Sequence, residues 1–261
     1  MSIIESEMIG NTLLLTLNNP SKRNSMIKGF HDQFQKIIQA GDENREVFSI
    51  VINGSGDFFC AGGDLNALKT RRSMTEDQRY ETLNQLNGTI QSIFNCSKPV
   101  ISAIEGGAAG AGVSLAMACD LVVMSEHSFF SLAYVKIGLT PDGAATKFLS
   151  ETMPRQMLSE MAMIGGKIDA SRLYQLGAIN VLAQKGNATQ TAIELSKNFD
   201  NLPKNSISRI KKLTRLAYGN NFESQLKLET DFMVKSQGDN ESIEGIDAFL
   251  EKRPADFKKL R

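Results

Sequence analysis

EGGAAGAGVSLAMACD, residues 105–120, places a glycine-rich turn directly before a run of small and apolar residues that predicts a helix. The apolar run before it, Val100 to Ile104, predicts a buried strand. Glycines let a ligand approach the backbone, and the first amide hydrogens of a helix have no partner within that helix. The segment therefore predicts a strand, turn and helix whose backbone can bind an oxyanion.

A second segment of this kind, NGSGDFFCAGGDL at residues 53–65, follows another predicted buried strand, Val47 to Ile52, and leads into a helix. Glycines in such turns often serve only tight turns and close helix packing. Two such turns, each joining a strand to a helix, favour a pair of backbone donors, while the pattern leaves open whether the two converge.

Strands alternate with helices through most of the chain, which predicts an α/β fold. Two more buried strands are predicted, at Thr12 to Leu17 and at Leu121 to Met124. A helix is predicted at 25–40, with an apolar stripe of Met26, Phe30, Phe34, Ile37 and Ile38, and another at 75–94, with Leu83, Leu86, Ile90 and Ile93. Beyond about residue 187 only helices are predicted, at 188–199, 206–218, 222–235 and 242–252.

The composition is typical of a globular protein and balanced in charge. The 261 residues are 41% hydrophobic and 22% charged, and 29 lysines and arginines match 29 aspartates and glutamates. No overall field therefore favours nucleic acid or an anionic membrane, and neither is expected as a partner. Three cysteines without a CxxC pair indicate a reducing compartment, and the glutamates near the N-terminus differ from a secretory signal, so we expect a cytoplasmic protein.

Several kinds of active site have no support in the sequence. The two histidines, His31 and His127, are far apart and outside any metal-ligand spacing, so we expect structural or surface roles for them and no metal. The chain contains no Walker A sequence, and no GxGxxG follows a strand. Nucleotide phosphate transfer and dinucleotide redox chemistry are therefore not expected.

Five segments, in this order and spacing, resemble the signatures of the enoyl-CoA hydratase/isomerase (crotonase) superfamily. They are NPSKRNSM at 19–26, FFCAGGDL at 58–65, AIEGGAAGAGVSLAMACDLVVMS at 103–125, KIGLTPDGAAT at 136–146 and SIEGIDAFLEKRPADF at 242–257. The resemblance implies a spiral of ββα units over residues 1–199, which binds acyl-CoA, and a C-terminal helical region at 200–261 that forms a homotrimer or a dimer of trimers. No separate cofactor is implied, since coenzyme A is part of the substrate.

The resemblance also implies roles for individual residues. The backbone amides of Gly63 and Ala111 would hold the thioester oxygen, Lys22 and Arg23 would lie near the phosphates or adenine of coenzyme A, and Phe249 and Lys252 would reach the coenzyme of an adjacent subunit. The full set implied to bind substrate is Lys22, Arg23, Ala61, Gly62, Asp64, Leu65, Gly110, Ser114, Tyr134, Phe249 and Lys252.

Three positions decide which reaction the resemblance implies. Ser114 and Tyr134 stand where hydratases of this family carry two glutamates, which argues against hydration because neither side chain alone is a good base near neutral pH. We expect these two only to fill space or to hydrogen-bond the substrate. Asp142 stands where one branch of isomerases, including those acting on epoxidised or ring-opened phenylacetyl-CoA, has its aspartate. The alternative is that Asp142 caps a helix beginning near Gly143.

The leading hypothesis is thus an enoyl-CoA isomerase that stabilises a thioester enolate, with Asp142 as acid and base. The alternatives are a hydratase or another crotonase activity with relocated acids, and a non-catalytic acyl-CoA-binding protein. The aryl-CoA dehalogenase branch also has an aspartate at this place, but it needs a tryptophan, and this chain has none.

Overall fold

The computed structural model describes residues 2–260 and has the expected α/β architecture. The strands are Ile4–Ile9 (β1), Thr12–Leu17 (β2), Ser49–Gly54 (β3), Val100–Ile104 (β4), Ala108–Ala109 (β5), Leu121–Ser125 (β6), Phe129–Ser131 (β7), Lys167–Asp169 (β8) and Val181–Ala183 (β9). The helices are Phe30–Glu43 (α1), Leu65–Arg71 (α2), Glu76–Asn95 (α3), Ala111–Met117 (α4), Ala145–Ser150 (α5), Arg155–Ile164 (α6), Ala170–Gln175 (α7), Ala188–Ser196 (α8), Lys204–Ala217 (α9), Phe222–Gln237 (α10) and Asn240–Leu250 (α11).

The larger sheet explains why its strands could be recognised in the sequence. Within residues 2–260 it has six strands in the order β1-β2-β3-β4-β6-β9, and all pairs except β1 with β2 are parallel. Strands of a parallel sheet are covered on both faces and read as continuous apolar runs. Every residue of β4 is buried, and the four strands predicted from such runs are confirmed.

The smaller sheet gives the body its spiral form. It contains β5, β7 and β8, and Cys60 extends it by a parallel bridge to Ala108. Three successive units therefore begin at β3, β4 and β6. In each unit the first strand lies in the larger sheet, the next segment pairs briefly in the smaller sheet, and a helical segment follows. This repeated ββα arrangement brings each turn that follows β3 and β4 to the same edge of the molecule.

The first predicted helix begins later than its apolar stripe indicated. Gly29 has a left-handed φ of 87° and precedes α1, so residues 25–29 are outside the helix. Met26 forms a parallel bridge with Gly63 instead, and its N–H donates to the Gly62 carbonyl oxygen at 2.8 Å. The prediction of helix at 25–29 was wrong because a long-range backbone pairing replaces it.

The C-terminal helices α9 to α11 confirm the helical character of the last part of the chain, and a buried ionic cluster holds α9 against the body. Lys211 Nζ and Arg215 Nη2 each lie 2.8 Å from a carboxylate oxygen of Asp120.

Large apolar side chains of α9 to α11 and the turn after α9 are exposed in the single chain, namely Ile210, Leu216, Tyr218, Phe222, Leu226, Met233, Val234, Ile243, Ile246, Phe249 and Leu250. Over residues 2–260, no helix is both long and apolar enough to span a membrane.

Candidate active site

The two glycine-rich turns lie side by side, which the sequence pattern had left open. The Ala109 N–H donates to the Cys60 carbonyl oxygen at 2.9 Å. A Cβ at Gly62 would lie 2.7 Å from the Ala109 carbonyl oxygen and 2.9 Å from the Ala111 nitrogen, and Gly62 has a φ of 85°. Only glycine therefore allows the first turn to pack this closely on the second.

The two amides expected to hold a thioester oxygen come from these turns. Ala111 is the first residue of α4, so its N–H has no partner within the helix. No hydrogen bond from the N–H of Gly63 or Ala111 to any residue in the range 2–260 is present. An oxyanion site requires backbone N–H donors that are free to bind the ligand, and these two adjacent turns supply two of them.

Tyr134 lies between Asp142 and the second of these turns. The Tyr134 hydroxyl donates to Asp142 Oδ1 at 2.6 Å, and the Ser114 hydroxyl donates to the Asp142 carbonyl oxygen at 2.9 Å. The ring carbon Cζ of Tyr134 would lie 3.6 Å from a Cβ on Gly110. The residues at both hydratase glutamate positions therefore bind Asp142, a contact that the sequence did not predict.

The structure excludes the alternative in which Asp142 caps a helix. Helix α5 begins at Ala145, and its N-cap residue is Ala144, which makes no side-chain hydrogen bond. Asp142 contributes only its backbone carbonyl oxygen, which accepts from the Ala145 N–H at 3.2 Å. The carboxylate is thus left for another role.

Burial governs the protonation of both partners in the Tyr134–Asp142 pair. It raises the pKa of the Asp142 carboxyl above its ordinary value, while the Tyr134 hydrogen bond and the positive charge of Arg71 oppose that rise. Burial, and then the charge of Asp142, raises the pKa of Tyr134 as well, so the phenol keeps its proton and donates a hydrogen bond to the carboxylate. A carboxylate with a raised pKa suits general acid and base catalysis.

Lys22 and Asp64 form an ion pair at the rim of the first turn. Lys22 Nζ lies 3.0 Å from Asp64 Oδ2, and Asp64 also caps α2 by accepting from the Asn66 N–H at 2.7 Å. Lys22 and the amides of α2 hold the pKa of Asp64 below its ordinary value. The carboxylate of Asp64 therefore organises the loop that carries Gly63.

The remaining predicted residues fall into two groups. Arg23 and Ala61 are joined by a 2.9 Å hydrogen bond from the Ala61 N–H to the Arg23 carbonyl oxygen, and exposed Leu65 opens α2 beside them. Phe249 and Lys252 lie at the end of α11, where the Phe249 side chain is 84% exposed. The hydrogen bonds and ion pairs within residues 2–260 join neither of these two to the turns, and their role at a neighbouring subunit stays a prediction.

Helix α2 contributes residues that the sequence analysis missed. Leu68 and Arg71 are half-buried, whereas the other residues of α2 are exposed. With Asp64 they form the spacing i, i+4, i+7, which marks one face of a helix. That spacing was visible in the sequence, but a seven-residue helix gives too short a pattern to be recognised. Over residues 2–260, no three potential metal ligands are grouped together.

Comparisons with known proteins agree with this geometry. A family model described as Enoyl-CoA hydratase/isomerase matches residues 7–260. The chain is 29% identical to the 1,2-epoxyphenylacetyl-CoA isomerase of Escherichia coli over 98% of both chains, and 31% identical to the 2,3-dehydroadipyl-CoA hydratase of the same organism over 94% of both. It superposes with a TM-score of 0.93 on the crystal structure of an enoyl-CoA hydratase from Polaromonas sp. JS666, at 38% identity and with 97% of this chain and 98% of that chain covered. The chain therefore belongs to the enoyl-CoA hydratase/isomerase family, and its fold is the crotonase fold.

Proposed function

We propose that this protein isomerises the double bond of an enoyl-CoA thioester, with Asp142 as the group that moves the proton. The observation that carries the proposal is the Tyr134–Asp142 hydrogen bond beside the Gly110–Ala111 turn, at a site where both hydratase glutamates are replaced. The relationship to the 1,2-epoxyphenylacetyl-CoA isomerase of Escherichia coli supports an isomerase.

In the proposed reaction, the amides of Gly63 and Ala111 donate to the thioester oxygen and so stabilise the enolate. Asp142 removes the α-proton of a 3-enoyl thioester, and the electron pair of that C–H bond moves into the enolate. The same carboxylic acid then returns the proton at the γ-carbon, which leaves a 2-enoyl thioester and an ionised Asp142. Tyr134 holds Oδ1 throughout, so Oδ2 is the oxygen that carries the proton. No water is added or lost.

Hydration is the second candidate, and the 2,3-dehydroadipyl-CoA hydratase relative favours it. Hydration needs one group to activate water and a second to protonate carbon. Ser114 and Tyr134 offer two hydroxyl groups in place of two carboxylates, and both hydroxyls bind Asp142. A single carboxylate therefore fits isomerisation better.

Product analysis tests the two candidates and the non-catalytic alternative together. The protein is incubated with matched 2-enoyl, 3-enoyl and phenylacetyl-derived CoA thioesters, and the products are separated and weighed by mass spectrometry. We expect a shifted double bond without a change in mass. A gain of one water would replace the isomerase by a hydratase, and binding of every thioester without turnover would leave a binding protein.

We further propose that coenzyme A lies along Lys22 and Arg23, and that a trimer or dimer of trimers forms through residues 200–261. The exposed apolar side chains of α9 to α11 support the assembly, since large exposed apolar surfaces mark interaction sites. Three buried free cysteines fit the proposed cytoplasmic location. Sedimentation should show an oligomer of three or six chains at micromolar concentration, and a compact monomer would contradict the assembly.

A further inference from the structure

Leu68 of α2 contacts the first glycine-rich turn. Its Cδ1 lies 3.7 Å from the place where a Cβ on Gly63 would lie. Arg71 follows on the same face of the helix, about 4.5 Å further along the axis. Its neighbours Thr70 and Arg72 are exposed, whereas Arg71 is half-buried.

Within residues 2–260, the Arg71 guanidinium is in contact with no group of opposite charge. Among these residues it forms neither an ion pair nor a side-chain hydrogen bond. A half-buried cation without a counterion has lost part of its hydration. Binding of an anion therefore stabilises it more than it would stabilise a fully exposed cation.

Helices α1 and α3 and the loop of Asp142 are in contact with one another. His31 of α1 lies 2.9 Å from Thr89 of α3, measured from Nδ1 to Oγ1, and Ile90 lies 3.5 Å from a Cβ on Gly143. Arg71 lies near both His31 and Asp142, since its positive charge lowers the pKa of each. The pKa of His31 falls to about 4, mainly through burial, so its ring is neutral near pH 7 and Arg71 supplies the positive charge.

We infer that Arg71 is a specificity-determining residue that binds a carboxylate at the far end of the acyl chain, so that the preferred ligand is the CoA thioester of a dicarboxylic acid. The inference rests on the proposed function for the place of the thioester, which lies at Gly63 and Ala111. From there the acyl chain passes Leu68, an apolar contact, and reaches Arg71 after a few methylene groups.

Two other roles for Arg71 would give different results in binding and activity measurements. If its charge acted only on Asp142, every acyl-CoA would be affected alike, and the effect would appear in the pH profile. If Arg71 stacked on an aromatic acyl group, phenylacetyl-CoA would be the ligand whose binding suffers. Affinity measured with saturated thioesters separates these roles from catalysis, because a saturated chain has no double bond to move.

The test compares the full-length protein with Arg71→Gln and with the matched control Arg72→Gln, which removes an exposed arginine from the next position of the same helix end. Binding of succinyl-, glutaryl-, adipoyl- and suberoyl-CoA is measured by calorimetry beside the neutral thioesters of equal length and phenylacetyl-CoA. We expect the wild-type protein to prefer one dicarboxylic thioester over its neutral counterpart by about tenfold or more. Arg71→Gln should abolish that preference by weakening the dicarboxylic ligand alone, and Arg72→Gln should retain it.

An equal loss for both ligand classes, a loss confined to phenylacetyl-CoA, or the absence of any preference in the wild-type protein would overturn the inference. A preference for dicarboxylic thioesters in a protein that adds water to them would uphold Arg71 and refute the isomerase. Failure of every thioester to bind would refute both.

Discussion

The hydroxyl of Tyr134 donates a 2.6 Å hydrogen bond to Oδ1 of Asp142. The two residues are eight positions apart, and the segment between them includes the left-handed Gly138 that ends a short 3-10 helix. A hydrogen bond to one oxygen of a carboxylate fixes the direction of the other. We therefore expect Tyr134 to position the proposed base.

Replacement of Asp142 by asparagine should lower kcat for isomerisation by about a hundredfold or more, since the base is lost while the shape is kept. Asparagine can still accept from Tyr134, so acyl-CoA affinity should change little. Steady-state kinetics and calorimetry measure the two effects. Asp77→Asn, at an exposed position in the first turn of α3, is the control. Nearly full activity in Asp142→Asn would show that another residue moves the proton.

Replacement of Tyr134 by phenylalanine should shift the acid limb of the pH profile to higher pH. The Tyr134 hydrogen bond lowers the pKa of Asp142 against the effect of burial, and Arg71 does the same. Without Tyr134 the pKa of Asp142 rises further, so the carboxylate is protonated at a higher pH and activity returns only as pH increases. Tyr80→Phe removes a hydroxyl from a tyrosine that is 61% exposed and should leave the profile unchanged. An unmoved acid limb in Tyr134→Phe would contradict the positioning role.

Replacement of Ala111 by proline should remove one of the two amide donors. Proline is tolerated at the first position of a helix, where Ala111 stands, so the chain should still fold. We expect transition-state stabilisation to fall by about 3 kcal/mol, read from kcat/KM. Glu76→Pro makes the same change at the first residue of α3 and is the control. Undiminished kcat/KM in Ala111→Pro would remove the oxyanion role of this amide.

Replacement of Asp120 by alanine should destabilise the contact of α9 with the body. It leaves Lys211 and Arg215 buried without their shared carboxylate, and it removes the acceptor of the Val100 N–H. Breaking such a buried pair costs about 3 kcal/mol of unfolding free energy. Urea unfolding measures the loss. Asp231→Ala breaks the exposed pair with Lys227 and should have little effect. Equal stability of the two variants would show that this cluster does not hold α9.

The His31 ring should stay unprotonated until the solution is well below pH 6. Burial and the charge of Arg71 lower its pKa from 6.5 to about 4, although Asp32 opposes this. The unfolded chain binds the proton first, so His31 reduces stability as pH falls from about 6.5 toward 4. Proton NMR can follow this directly, because the chain has two histidines and the exposed His127 gives the only other signal. A His31 signal that titrates near pH 6.5 would refute this assignment.

The local sequence pattern was sufficient to predict those helices and strands whose surroundings are the same along their whole length. The strands β2, β3, β4 and β6 are largely buried and consist mostly of apolar residues, and α3 shows the period of a helix. The short strands β5, β7 and β8 have two or three residues each and carry no such pattern. They exist because a partner strand is present, which is a property of the folded chain.

For the site, the order of the motifs in the sequence was enough to identify Gly63, Ala111 and Asp142 as candidates. Only the tertiary structure decided that Ser114 and Tyr134 bind Asp142, and that the charge of Arg71 lowers the pKa of Asp142. Arg71 and Asp142 are 71 positions apart in the sequence, and Ser114 reaches the loop of Asp142 from helix α4. Such contacts depend on how successive turns of the spiral stack, because burial, pKa and hydrogen bonding are set by neighbours in space rather than by neighbours in sequence.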